Sequence, residues 1–424
     1  MVLLTAFLLL VFLYSLVSRR LERTVITAPL LFTAAGAATM LLPAAVTELA
    51  LDRNAFLLVA ELGLVMTLFT DASRISPSFL KAGRSLPIRL LSTGMLLTIL
   101  LGAVFAIVVL RGLSWWEAGI LAAILAPTDA GLGQVIVNSE RVPQRIRQSL
   151  NVEAGLNDGL SVPFLLLFIA LAVAQESTEG AGTVLARLLG EQLGYGALIG
   201  LGIGAVGGWL LGVASRKGWM APPLGQLGVV ALPLLCVMAS EATGASMFIA
   251  AFIAGLAVQF GFREVGRHSV EFTEDWGQLF NYFVFFLFGT IVVGDWVHFT
   301  PAVLLYAVLS LTLVRMAPVA LALWGTQFSR ATVLFMGWFG PRGLASIVLG
   351  LVFLEREAHL EGESTIRLAV MATVLLSIFA HGVSALPGID LYARRSALLD
   401  NASPEHQALE GDSPRPSHTA DVGT

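Results

Sequence analysis

Apolar runs of about 17 to 25 residues recur from Val2 to Pro387, each long enough to cross roughly 30 Å of hydrocarbon as a helix rising 1.5 Å per residue. Backbone in lipid must satisfy its own hydrogen bonds, so such runs fold as helices. Composition agrees, with 56% hydrophobic and 13% charged residues, where soluble domains carry about a quarter charged. The chain therefore reads as an all-α polytopic membrane protein with about 13 transmembrane helices. Residues 1–390 form the transmembrane domain in this reading, and residues 391–424 a hydrophilic, disordered cytoplasmic tail.

Charge placement sets the orientation. Arginines and lysines gather in alternate loops, at Arg19–Arg23, Arg74–Arg89, Arg141–Arg147, Arg216–Lys217 and Arg394–Arg395. Only Arg53, Arg111, Arg187, Arg356 and Arg367 fall in the opposite set. Positive loops resist translocation, which puts the amino terminus outside and the carboxyl terminus in the cytoplasm of a cell inner membrane. The first run, Val2 to Ser18, lacks a preceding basic region and a cleavage site, so it reads as a retained span. The net charge of −4 points to no nucleic-acid partner. A single cysteine, Cys236, excludes a disulfide or thiolate metal site within one chain. No phosphate-binding loop, metal-ligand cluster or nucleophile motif is found, so neither an enzyme nor a cofactor is expected.

Ionisable groups inside a bilayer are costly, which makes each embedded one a functional candidate. The fifth span, roughly 115 to 137, contains Pro127-Thr128-Asp129; the sixth, roughly 146 to 174, contains Asn151, Glu153, Asn157 and Asp158; the twelfth, roughly 331 to 353, contains Gly340-Pro341-Arg342-Gly343. Helical rise puts Asp158, Asp129 and Arg342 near the midplane. Glu153 and Asn157 share one face at i,i+4 spacing, with Asn151 and Asp158 on an adjacent stripe. Pro127 and Pro341 predict breaks in two helices, and broken helices at membrane depth line cavities where their dipole ends bind ions. Spans five and twelve are separated by an odd number, which implies two inverted six-helix repeats. Glu61 and Arg315 are also embedded and stand as secondary candidates. His381 reads as an interfacial histidine before a pH sensor.

Thr128-Asp129 in a broken helix, Glu153 through Asn157-Asp158 in the next, and Gly340-Pro341-Arg342-Gly343 later on resemble the NhaP-type sodium/proton antiporters of the monovalent cation:proton antiporter superfamily. The similarity extends over essentially all spans and implies an NhaA-like transporter fold, in a homodimer. It implies that Asp158 binds Na⁺ and a proton alternately, that Thr128, Asp129 and Glu153 complete the Na⁺ site, and that Glu153 pairs with Arg342. Asn157 stands where electrogenic relatives carry an aspartate, which goes with electroneutral exchange. Two departures are Ala154 in place of the serine after the glutamate, and Ala130 in place of the proline after Thr-Asp.

The expected function is secondary active exchange of a monovalent cation, Na⁺ with Li⁺ also open, for H⁺, one for one, in pH homeostasis. A K⁺/H⁺ antiporter is the alternative, because ligand distances decide ion size preference. An intramembrane aspartyl protease using Asp129 and Asp158 is a remote one. The expected partners are the cation, the proton, the lipid bilayer and a second copy of the chain.

Overall fold

A computed structural model describes residues 2–21, 24–40, 53–74, 86–176, 181–262, 267–355, 360–400 and 403–406. All regular structure among them is helical: α1 (Val2–Leu21), α2 (Ala28–Thr39), α3 (Arg53–Ser73), α4 (Leu86–Val109), α5 (Trp115–Ile124), α6 (Ala130–Val137), α7 (Gln144–Glu176), α8 (Gly182–Arg216), α9 (Pro222–Thr243), α10 (Met247–Gly261), α11 (Arg267–Asp295), α12 (Pro301–Ala322), α13 (Arg330–Trp338), α14 (Leu344–Glu355) and α15 (Glu363–Ser396). Nine of them are long and apolar enough to cross a membrane, and α2, α5, α10 and α14 are shorter apolar helices. The outer surface is apolar: Leu8, Phe12 and Leu16 on α1, Leu100 on α4, and Leu198 and Trp209 on α8 are more than half exposed. Lipid is the solvent that tolerates such a surface.

Both predicted breaks are present. Residues 125–129 separate α5 from α6, and residues 339–343 separate α13 from α14. Each break follows from a proline without an N–H to continue the ladder. The apolar interior divides in two at this level. One large cluster includes Leu121, Ile124, Leu156 and Leu344; a smaller one, toward the arginine-bearing ends, contains Ile136, Ile146, Leu150, Phe335, Phe339 and Tyr392.

Glycines on α8 give close packing. A Cβ on Gly200, Gly204 or Gly208 would run into the backbone of Ala250, Ala254 or Val258 on α10. These glycines are the helix contact that small residues at i,i+4 spacing allow. Two boundaries differ from the sequence reading. The stretch 263–275 is too polar to span and by its composition reads as a connector along the surface; residues 263–266 lie outside the described residues, and from Arg267 onward it is the first part of α11, because its helical ladder continues unbroken into the apolar run. At the other end, α15 extends through Ser396, well into the expected tail, carried by an uninterrupted helical stretch past Pro387. Residues 407–424 of that tail lie outside the described residues.

Candidate functional site

The two breaks cross, and charges at the helix ends hold them together. Asp129 caps α6: its Oδ1 accepts the Leu132 N–H (2.8 Å). Its Oδ2 accepts the N–H of Leu344, the first residue of α14 (2.5 Å). One carboxylate thus sits on two helix N-termini, where unsatisfied N–H groups and the dipole favour negative charge. The Asp129 N–H in turn donates to the Pro341 carbonyl (2.8 Å). A Cβ on Gly343 would strike the Asp129 carboxylate, so this crossing needs glycine there.

Arg342 balances the opposite ends. Fully buried, its Nη1 donates to the carbonyls of Ala126 (2.5 Å) and Pro127 (2.8 Å), just past the C-terminal end of α5. Its N–H donates to Ser377 Oγ on α15 (2.7 Å), and Ser377 lies 3.2 Å from His381 Nδ1. With its proton on Nε2, His381 donates to the Trp338 carbonyl (2.9 Å). His381 is therefore a buried clamp on both ends of the 339–343 break, not the interfacial group the sequence suggested.

Glu153, Asn157 and Asp158 project from the middle of α7 and all are buried. Asn157 takes both polar groups of Thr128: its Oδ1 accepts the Thr128 N–H (3.2 Å) and its Nδ2 donates to Thr128 Oγ1 (2.8 Å). Glu153 pairs with Arg315, not with Arg342 as expected; Nη1 and Nη2 of Arg315 donate to the two carboxylate oxygens at 2.5 and 2.9 Å. Arg342 is committed to the α5 carbonyls, whereas Arg315 lies one turn beyond Thr312, where α12 loses helical geometry (φ −106°, ψ −91°). Gly340 gives the Arg315 guanidinium its space, since a Cβ there would overlap it.

Asp158 differs from the other acids. Its Oδ1 is buried with no hydrogen-bond partner. A buried carboxylate oxygen left in this state takes up a proton or a cation. The four residues expected to ligate Na⁺ are not equivalent. Asp129 and Glu153 have both carboxylate oxygens occupied, and Asp158 does not. Among the described residues no group of three or more His, Cys, Asp or Glu could hold a metal ion. Carboxylate, carbonyl and hydroxyl oxygens of Asp158 and Thr128 remain suited to a hard monovalent cation.

One acid escaped the sequence reading. Asp71, partly buried on α3, lies over Gly155 of α7, where an ideal Cβ would come 3.0 Å from Asp71 Cβ. It is close enough to Asp129 and Asp158 for the three charges to repel. Its position at the edge of the third apolar run made it look like a border residue, but its spacing from Leu64 and Leu68 on the buried face was a readable signal. Glu61 lies ten residues earlier on α3, roughly 15 Å away along the axis, outside this cluster.

A narrow cavity of about 10 Å³ is lined by Thr128, Asp129, Asn151, Ala154, Phe339 and Pro341. That is about one water. Exposed Asn151 stands toward its arginine-bearing end, and Ala154 is one turn from Asp158 on the same face. The larger cavity, about 60 Å³, lies among Phe56, Phe288, Ile347, Phe353 and Met371 and is mostly apolar; the one charged residue in its lining, Arg367, is paired with Asp295.

Compared with known proteins, residues 3–387 match the family described as sodium/hydrogen exchanger, transmembrane. The K(+)/H(+) antiporter NhaP of Alkalimonas amylolytica is 26% identical over 298 residues, covering 69% of this chain and 50% of that protein. The Na(+)/H(+) antiporter of Schizosaccharomyces pombe is 26% identical over 276 residues, covering 60% of this chain and 57% of that protein. The chain thus spans about half the length of the curated relatives it matches. The sodium proton antiporter MjNhaP1 from Methanocaldococcus jannaschii, solved at pH 8, shares the fold with a TM-score of 0.73 at 21% identity, over 93% of this chain and 99% of that one.

Proposed function

From the premise that the chain belongs to the transmembrane sodium/hydrogen exchanger family, we propose that it exchanges a monovalent cation for a proton across the membrane, with Asp158 carrying each in turn. The single observation behind this reading is the buried Asp158 Oδ1 without a hydrogen-bond partner. A proton and a desolvated cation compete for that oxygen, and occupancy by one excludes the other.

The neighbouring charges support one proton per cation. Glu153 is neutralised by Arg315, and Asp129 is held by helix N–H groups, so neither is free to cycle. Asn157 is neutral and fixes Thr128, whose oxygens, with water, complete the ligand shell of the cation. Asp71 adds negative potential that draws the cation in. Na⁺ is the first reading. K⁺ is the second, favoured by two relatives described as K(+)/H(+) antiporters, NhaP of Alkalimonas amylolytica and NhaP2 of Shewanella.

The topology proposed is thirteen crossings of a cell inner membrane, with the arginine-bearing ends cytoplasmic, the amino terminus outside and two inverted repeats that bring the broken pairs together. Alternating access then moves this layer between the two faces, in a homodimer. The protease alternative loses its footing in the site: an aspartyl dyad requires both acids on one water, whereas both Asp129 oxygens are committed to helix N-termini.

Purified protein in proteoliposomes with a preset pH gradient tests the proposal, with membrane potential recorded. Cation-dependent proton movement without net charge, lost in Asp158→Asn, is expected; equal activity in both proteins refutes the site, and net charge movement refutes the one-for-one count.

A further inference from the structure

The end of the chain expected to be solvated carries a buried acid. Glu405 is 2% exposed, in the segment Ser403–His406 that follows α15. Its Oε1 accepts the Ser329 N–H (2.8 Å) and the Thr332 hydroxyl (2.8 Å) at the start of α13. Thr332 Oγ1 also lies 3.0 Å from the Tyr392 hydroxyl on α15. From α7, Arg145 Nη1 donates to the Pro404 carbonyl (2.8 Å), with its guanidinium 5.3 Å over the Phe328 ring. His406 Nε2 lies 3.3 Å from the Ser396 carbonyl, closing the turn.

We propose that the cleft between the first turns of α7 and α13 and the last turns of α15 is a docking site for an acidic peptide, occupied by residues 403–406, and that its occupancy slows transport. The recognition chemistry is specific. A carboxylate takes the N–H of the N-cap residue Ser329 and the Thr332 hydroxyl at the start of a helix, and an arginine reads the peptide carbonyl beside it. Burial opposes ionisation of Glu405, but the Ser329 N–H and Thr332 hydroxyl outweigh it and hold the carboxyl below the usual glutamate value. The site reaches the ion-binding layer through α13. This half-helix of nine residues, roughly 13 Å long, runs from Glu405 to the break at Phe339–Pro341, which walls the cavity that Thr128 and Asp129 also line. The docked tail fixes one end of α13 and the His381 clamp fixes the other, so the wall stays closed. Release frees the first end.

The inference rests on the antiport reading for its readout, and the test separates the two. Full-length Glu405→Ala and the pair Ser329→Cys/Glu405→Cys are reconstituted in proteoliposomes; the native Cys236 is buried. Glu405→Ala is expected to move protons at least about three-fold faster than wild type at subsaturating cation. The cysteine pair is bridged by a short bis-methanethiosulfonate linker. The bridged protein is expected to be slow, and the same sample fast once the linker is cleaved by reductant. Equal rates in the bridged and cleaved forms overturn the proposal, as does failure of the pair to bridge. A slow bridged form that an added acidic peptide of another sequence mimics after cleavage supports the site as a general one. Absence of cation-driven proton movement in wild type overturns the antiport reading instead, and bridging then decides docking alone.

Discussion

Replacing Arg315 by glutamine removes the guanidinium that donates to both oxygens of Glu153, at 2.5 and 2.9 Å, between side chains only 3% exposed. The carboxylate is then buried without its hydrogen-bonding partner, and Arg342, although close enough to feel its charge, keeps its Nη1 on the carbonyls of Ala126 and Pro127. Breaking a buried pair on one side costs about 3 to 5 kcal/mol, most of it the uncompensated charge and not the lost attraction. Removing the second charge as well, as in Glu153→Gln/Arg315→Gln, leaves two neutral amides and should recover all but about 1 to 2 kcal/mol. Thermal unfolding of detergent-solubilised protein, followed by tryptophan fluorescence, reads the difference as a large fall in Tm for the single variant and a partial return for the double. A double-mutant cycle gives the coupling energy directly. Arg342→Gln serves as the control: it frees two carbonyls but leaves Glu153 paired, so Glu153→Gln should not rescue it. If Arg315→Gln leaves Tm unchanged while Glu153→Gln rescues Arg342→Gln, the pairing derived from the geometry is wrong.

Four further outcomes are expected. Gly343→Ala pushes a methyl into the Asp129 carboxylate, parts α6 from α14, and should lower the proton-exchange rate by at least about ten-fold with a loss of roughly 1 to 3 kcal/mol in stability; full activity would contradict the close approach. Ala154→Ser puts a hydroxyl on the cavity wall one turn from Asp158 and should lower the KM for Na⁺ by a few-fold without changing its maximal rate, as titrated in proteoliposomes. Asp71→Asn removes negative potential without touching Asp158, so KM should rise about three- to ten-fold while exchange stays electroneutral; a change in charge per cycle would make Asp71 a cycling acid. Glu405 has a lowered pKa, so its docking is complete above the ordinary glutamate value near 4.3 and lost only as pH falls through the depressed one. Among the described residues, Arg145 on α7, Arg330 at the start of α13, Tyr392 on α15 and His406 in the segment also titrate in this region, and only His406 does so near neutrality, so the rate ratio of Glu405→Ala to its parent, measured in a His406→Asn background, should be constant from pH 5.5 to about 8.

The fold was legible wherever one local rule decided it. Apolar run length gave the long helices, and Pro127 and Pro341 marked both breaks because a missing N–H interrupts a helix whatever surrounds it. Boundaries failed where polarity was taken for a helix end. Helical hydrogen bonding continues through polar residues when nothing breaks it, so α11 starts at Arg267 and α15 continues to Ser396.

The site was legible in its residues and less so in its pairings. Glu153, Asn157 and Asp158 on α7 and Thr128-Asp129 in the break follow from spacing, and the structure gathers them. Which arginine meets Glu153 does not follow from spacing, because it depends on how α12 comes past the break at Gly340, a contact 162 residues apart in sequence. Asp71 and Glu405 were missed for a shared reason. Each sits where a polar residue is cheap to explain, one at a span border and one in a polar tail, and only tertiary packing shows what it faces. The consequence is a distribution of charge that sequence alone could not rank. Arg342 answers the carbonyls at the end of α5, Asp129 the N-termini of α6 and α14, Arg315 answers Glu153, and Glu405 answers the start of α13. Of the three acids gathered at the layer, Asp129 is thereby tied down and Asp71 stands at its edge over Gly155, which leaves Asp158 with the buried oxygen that no hydrogen bond holds, the ground on which the exchange is proposed there.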